Sequence, residues 1–253
     1  MIPHYGDKYD AEALFSPKEA VTAQDNGLPD VPSAIILGYQ TELTEIVRER
    51  TDSKVDIVRS QYLYRLSDAV GYVPVHEWGI GAPITATVTE NVVAAGASTV
   101  VMLGGCAGLQ MDIAPDTAIL PTESIRDEGV SYHYLPADEA VTATATLVDE
   151  LDESFEDAGF ETARGTTWTT SAMYRETIPE VERYRDDGVV SLCMESAAMW
   201  AVCRYRGVDT ATVHAIGDYL TPDEWVPETE PKRGLVEMFD PTVRALESYV
   251  ADQ

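Results

Sequence analysis

Ser33-Ala-Ile-Ile-Leu-Gly38 is a run of six uncharged residues, apolar from 34 to 37 and ending in glycine. A run this short and this apolar suits a strand buried on both faces, as in a parallel sheet. Outward from it the chain alternates. A helix is predicted over 41–49, and further strands over 55–58, 70–77, 99–103, 117–122, 162–167, 189–193 and 209–216. Helical periodicity marks 83–95, 140–158, 178–185, 196–206 and 236–251. Strands alternating with helices of this size imply βαβ units, with functional groups at the carboxyl ends of the strands. The expectation is a single-domain α/β protein, a three-layer α/β/α sandwich around a mostly parallel mixed central sheet. That domain spans 32–253. Residues 1–31 are polar and punctuated by proline, and read as an N-terminal extension with a short helix at 17–23.

The chain has 253 residues, enough for one domain with a sizeable core. Its 44 Asp and Glu against 17 Lys and Arg give a formal net charge of −27, and the acids are spread from Asp7 to Asp252. Such a surface repels itself unless salt shortens the Debye length to roughly 3 Å, as molar salt does. A salt-loaded cytoplasm is therefore the expected environment. The same field and the lack of a basic patch argue against nucleic-acid partners. Cys106, Cys193 and Cys203 are too few for a disulfide framework and lack zinc spacing, so they read as reduced core thiols with no metal. Residues 1–10 carry no apolar leader, and no stretch is long enough to span a membrane.

Two glycine-rich segments follow predicted strands. In Gly79-Ile-Gly81-Ala-Pro83 the glycines permit a tight turn, and Pro83 is placed to start a helix whose amides face an anion. Gly104-Gly-Cys-Ala-Gly108 reads as a second turn. After neighbouring strands, the two point to one crevice for a phosphate or a ribose. Neither has the full Gly-x-Gly-x-x-Gly spacing of a dinucleotide site.

Six segments stand in an order that resembles the uridine and purine nucleoside phosphorylase superfamily: Gly79 to Thr85, Gly104 to Gly108, Gly129-Val-Ser-Tyr-His-Tyr134, Gly165 to Thr177, Cys193-Met-Glu-Ser-Ala-Ala198 and Ile216-Gly-Asp218. The likeness covers about 32–220 and looks closest to the uridine phosphorylase-like branch. It implies that Met194 and Glu195 line a ribose together with His133, the carboxylate accepting ribose hydroxyls. It implies that Asp218, where relatives have Ser-Asp and this chain Gly-Asp, protonates the leaving base. Glu195 and Asp218 are thus the catalytic candidates. Thr169, Tyr174 and Arg175 are the base-side candidates, with Glu176 beside them. Read without the likeness, Glu195 is an acid at a helix N-terminus and Asp218 a turn cap.

Phosphate-using relatives carry Gly-Asp-Pro-x-Arg near the N-terminus and an arginine before the second glycine segment. Here the first reads Gly38-Tyr-Gln-Thr-Glu42 and the second place is Met102. A phosphate site would then draw on Arg59, lent across a subunit boundary in relatives, on the amides of Gly38, Gly81 and Gly105, and on the Thr85 hydroxyl. Arg126 is a further candidate. The resemblance implies reversible phosphorolysis of a uridine-like or purine nucleoside in a homo-oligomer, dimer-based and up to a hexamer, with phosphate as co-substrate and no cofactor. Two rivals remain: a nucleosidase with Glu42 as general base, and a non-catalytic nucleoside-binding module.

Overall fold

A computed structural model describes residues 8–22, 27–57, 61–227 and 234–253. Among them the strands are β1 Ala34–Gly38, β2 Lys54–Asp56, β3 Tyr62–Arg65, β4 Val70–Pro74, β5 Thr99–Gly108, β6 Ala118–Asp127, β7 Val141–Thr142, β8 Thr162–Thr170, β9 Ser191–Cys193, β10 Asp209–Leu220 and β11 Trp225–Val226. The helices are α1 Pro17–Thr22, α2 Thr41–Arg50, α3 Ala82–Ala94, α4 Ala145–Asp157, α5 Ile178–Asp186, α6 Ser196–Arg206 and α7 Phe239–Ala251.

The sheet runs β2-β3-β4-β1-β5-β9-β8-β6-β10-β11, with β7 on β6. It is mixed, and its longest ladders, β5–β10 and β6–β8, are parallel. β5 also pairs with β10, which closes β5, β9, β8, β6 and β10 into a ring at one end of the open sheet. Closure is possible because β5 and β10 are long. β10 lies parallel to β5 from Asp209 onward and touches β6 at His214, while the far half of β5 pairs antiparallel with β9.

The run that opened the sequence is β1, buried along its whole length between β4 and β5. Leu43 and Val47 of α2, Leu147, Leu151 and Phe155 of α4, and Phe239 and Leu246 of α7 pack on one face of the sheet. Val88 and Val92 of α3 and Met199, Trp200, Ala201 and Cys203 of α6 pack on the other. This is the expected three-layer arrangement. Each side chain as large as Leu43 or Phe155 gains about 2 kcal/mol by leaving water. In α6, Ser196 to Cys203 are all buried; Ser, Ala and Cys at these places let the helix lie close on the sheet. Gly207, at φ 71° and ψ 35°, ends it in the left-handed conformation.

Several boundaries differ from expectation. Residues 104–108 continue β5 instead of turning. A β-carbon on Gly104 would meet Met102 Cε at 2.9 Å, and one on Gly108 would meet Tyr219 Cδ1 at 2.6 Å. These glycines serve close packing over a strand. The strand expected over 70–77 ends at Pro74, and 75–77 form a 3-10 turn. The helix expected from 140 is preceded by the two-residue β7 and starts at Ala145. No described helix is long and apolar enough to cross a membrane.

Candidate active site

The carboxyl ends of β1, β5, β9 and β10 open on one cavity of about 680 Å³. Tyr39 and Gln40 enter it just past β1, Gly105 and Cys106 from β5, Met194 and Glu195 just past β9, and Gly217 and Asp218 from β10. The turn after β8 supplies Met173, Tyr174 and Glu176. Placement of functional groups at strand ends thus holds for a sheet that is partly closed.

Glu195 sits immediately before α6 and is 6% exposed. Its carboxylate accepts the amide of Gly81 at 2.7 Å and that of Met194 at 2.9 Å. Gly81 reaches this position because its φ is +90°, a conformation that favours glycine. Burial, with the neighbouring Cys193 thiol, pushes the Glu195 carboxyl up to about 7, against the two amide bonds and His214. His214 itself is fully buried and held down to about 4 by desolvation.

Asp218 lies where the β10 ladder to β5 slips between Ile216 and Asp218, and a bulge of this kind re-aims a side chain. Its Oδ2 accepts Trp225 Nε1 at 2.6 Å. Burial raises its pKa. Glu176 is half-buried beside it, and desolvation together with the charge of Asp218 pushes Glu176 up to about 7. A carboxyl near 7 can give up a proton at neutral pH. The cavity therefore holds one carboxylate fixed by backbone amides, and a separate carboxyl pair suited to proton transfer.

The remaining expected residues divide. Met194, Glu195, Tyr174, Gly105 and Asp218 line the cavity. Thr169 does not: its hydroxyl is fully buried among Ser124 Oγ at 2.8 Å, Cys193 Sγ at 3.3 Å and the Ala197 amide at 3.2 Å, so it braces the start of α6. Arg175 faces a different groove beside Arg126, Asp127 and Glu180, since the 3-10 turn Met173–Arg175 points successive side chains apart. His133 lies in a third groove, where it bonds Lys8 of the N-terminal extension. The Gly81 amide and the Thr85 hydroxyl have protein partners, Glu195 and Tyr39 respectively, the latter at 2.6 Å. Gly38 is pressed against Tyr72. Arg126 spends its guanidinium on the Leu135, Pro136 and Glu139 carbonyls and the Ser131 hydroxyl. Glu42 is exposed on the first turn of α2, off the cavity. Arg59 lies outside the described residues.

Among the described residues, no Lys, Arg or His lines the cavity, and no cluster could hold a metal ion. Residues that sequence reasoning gave no role include Tyr39, Gln40 and Trp225. Tyr39 and Gln40 follow the carboxyl end of β1, a position that the sheet rule itself flags. Trp225 lies on β11, which folds back on the end of β10 and brings the indole to Asp218.

A model of the phosphorylase superfamily matches residues 32–240. The purine nucleoside phosphorylase DeoD-type of Bacillus cereus (strain B4264) is 25% identical over 170 residues, covering 66% of this chain and 72% of that one. Among solved structures, the AMP nucleosidase from Bacteroides thetaiotaomicron superposes with a TM-score of 0.76 at 19% identity, over 94% of this chain and 99% of its own. A purine nucleoside phosphorylase from Toxoplasma gondii gives 0.76 at 19% identity, over 88% and 94%. A uridine phosphorylase from Vibrio fischeri gives 0.71 at 19%, over 89% and 95%.

Proposed function

The chain belongs to the phosphorylase superfamily, and we propose that it cleaves the N-glycosidic bond of a ribonucleoside and transfers the ribosyl group to phosphate. The observation that carries this reading is the division of carboxyls in one cavity: Glu195 fixed by two amides, and Asp218, its pKa raised by burial, beside Glu176, which is pushed up to about 7. As the C1′–N bond stretches, positive charge builds on the sugar. A carboxylate holding the ribose hydroxyls attracts that charge more strongly as the transition state is approached. At the other end the departing base gains electrons and needs a proton, which Asp218 supplies with Glu176 beside it. Tyr174 and Met173 make a wall for the base, and Met194 a soft one for the sugar. The reaction uses no metal or organic cofactor. Its setting is a homo-oligomer in a salt-loaded cytoplasm, whose screening the charge of −27 requires.

Phosphate needs a positive partner, and none lines the described cavity. Arg59, or its copy in a second subunit, fills that role in this reading. Arg59→Ala should raise the phosphate requirement roughly ten- to a hundredfold, as expected for a charged hydrogen bond, with nucleoside binding little changed.

The cation-free lining also favours a second reading, in which water is the acceptor. The Gln40 amide oxygen is buried without a hydrogen-bond partner among the described residues, while the amide nitrogen lies over Gly105. Such an oxygen can accept a water proton. Glu42, the base expected for hydrolysis from the sequence, is off the cavity, so Gln40 would only orient that water. The decisive experiment incubates the protein in molar potassium chloride with adenosine, guanosine, inosine, uridine and cytidine in turn, with and without phosphate. Base release that depends on phosphate and yields ribose 1-phosphate supports phosphorolysis. Release of free ribose without phosphate supports the second reading, and no base release from any nucleoside refutes both.

A further inference from the structure

Two of the three cysteines, Cys106 and Cys193, line the cavity. β5 and β9 run antiparallel with Ala107 opposite Leu192 and Gly108 opposite Ser191. One step further in the same register stand Cys106 and Cys193. The Leu109 amide donates to the Val190 carbonyl at 3.1 Å, which sets the phase of the ladder. Leu109–Val190 and Ala107–Leu192 are then hydrogen-bonded pairs, and Cys106–Cys193 falls on a non-hydrogen-bonded pair. At such a pair the Cα atoms approach to about 4.5 Å and both side chains leave the sheet on one face. That separation lies within the range a disulfide spans, about 4.4–6.8 Å. Both thiols are free, both line the cavity, and Cys193 lies close enough to act on the Cys106 thiol. Cys203, fully buried on α6, does not line it.

We propose that Cys106 and Cys193 are an oxidation site: a peroxide entering the cavity joins them in a reversible disulfide, and the joined form is inactive. Cys193 reacts first. Its sulfur lies 3.3 Å from the Thr169 hydroxyl and 3.2 Å from the Ser196 hydroxyl, groups able to hydrogen-bond a thiolate. Burial, Cys193 and Asp218 all disfavour the Cys106 thiolate. The Cys193 thiolate attacks one peroxide oxygen, the O–O bond breaks, and the departing hydroxide takes a proton to leave as water. Cys193 is then a sulfenic acid. The Cys106 sulfur attacks the Cys193 sulfur, the S–S bond forms, the S–O bond breaks, and a second water leaves with the Cys106 proton. Two thiols and hydrogen peroxide become one disulfide and two waters. Inactivation follows from place. Cys193 directly precedes Met194 and Glu195, and its turn toward Cys106 withdraws it from Thr169 and Ser196, which hold the start of α6.

The test treats the whole protein in molar potassium chloride with hydrogen peroxide, blocks the remaining thiols with iodoacetamide after denaturation, and maps the peptides by mass spectrometry. The expected product has lost two hydrogens, contains a Cys106–Cys193 linked peptide and keeps Cys203 alkylated. Nucleoside cleavage falls at least tenfold and returns with dithiothreitol. In Cys106→Ala the linked peptide is absent and peroxide adds oxygen to Cys193. Oxygen adducts in the wild type without the linked peptide, or a link through Cys203, would overturn the site; a linked protein of undiminished turnover would overturn the shut-off. The mass readout is independent of which reaction the cavity catalyses, so the two conclusions fail separately. If Cys106→Ala does not fold, the wild-type peptide map decides alone.

Discussion

Glu195 is expected to cost the fold stability that the site needs, and Glu195→Gln exposes that cost. The carboxyl is ordinarily near 4.5 and is pushed up to about 7 by burial. Those two and a half decades of proton affinity amount to about 3 kcal/mol, at roughly 1.4 kcal/mol per decade. The sign follows from proton binding. Between pH 4.5 and 7 the folded protein holds this proton more tightly than the unfolded chain does, so the wild type loses stability as pH rises through that window. Glutamine has no such loss. It does lose one acceptor for the Gly81 or Met194 amide, at about 1–2 kcal/mol. At pH 8 the variant should therefore be the more stable by about 1–2 kcal/mol, or roughly 2–8 °C in Tm for a chain of this size. At pH 5 the order should reverse. Turnover should fall ten- to a hundredfold at pH 8, because the amide keeps the shape but loses charge-assisted bonds to the ribose; at pH 5, where the wild-type carboxyl itself holds a proton, the gap should narrow. The assay is a set of thermal melts of both proteins from pH 5 to 8, at one protein concentration and constant salt, with turnover at saturating nucleoside. Parallel Tm curves that never cross would refute the buried-carboxylate reasoning.

Asp218→Asn removes the proton donor, and turnover should drop by about 10²–10⁴ on natural nucleosides. On a riboside whose leaving group needs no proton, such as 4-nitrophenyl riboside, the loss should be small; equal losses would take Asp218 out of the acid role. Gly38→Ala would place a β-carbon 2.1 Å from the Tyr72 hydroxyl oxygen and 2.3 Å from its ring carbons. A cost of about 2–3 kcal/mol in denaturant unfolding is expected. Tyr72→Phe should not rescue it and Tyr72→Leu should; a neutral Gly38→Ala would refute the packing. The net charge of −27 predicts a Tm that climbs with potassium chloride from 0.1 to 3 M. A flat or falling series would count against the salt-loaded setting.

Local sequence determined the layers and the catalytic candidates. The apolar run at β1, the strand–helix alternation and the 3.6-residue periodicity of α4 and α7 are short-range properties, so one chain read in order was enough to see a three-layer α/β protein. Glu195 and Asp218 are picked out as candidates by the motifs Cys193 to Ala198 and Ile216 to Asp218; the first stands just past β9 and the second within β10. What the side chains do there was decided by partners far along the chain. Thr169 looks like a base contact in its motif, yet its hydroxyl meets Ser124 and the Ala197 amide, 45 and 28 residues away. Gly81 looks like an anion donor, yet its amide is taken by Glu195 from 114 residues away. The glycines at 104–108 spell a turn, but Met102 and Tyr219 pack where their side chains would be, and the strand runs on. Trp225 reaches Asp218 only because β11 folds back antiparallel on the end of β10. A motif gives the residue type and the strand end; hydrogen-bond capacity is finite, and only tertiary structure decides which neighbour consumes it.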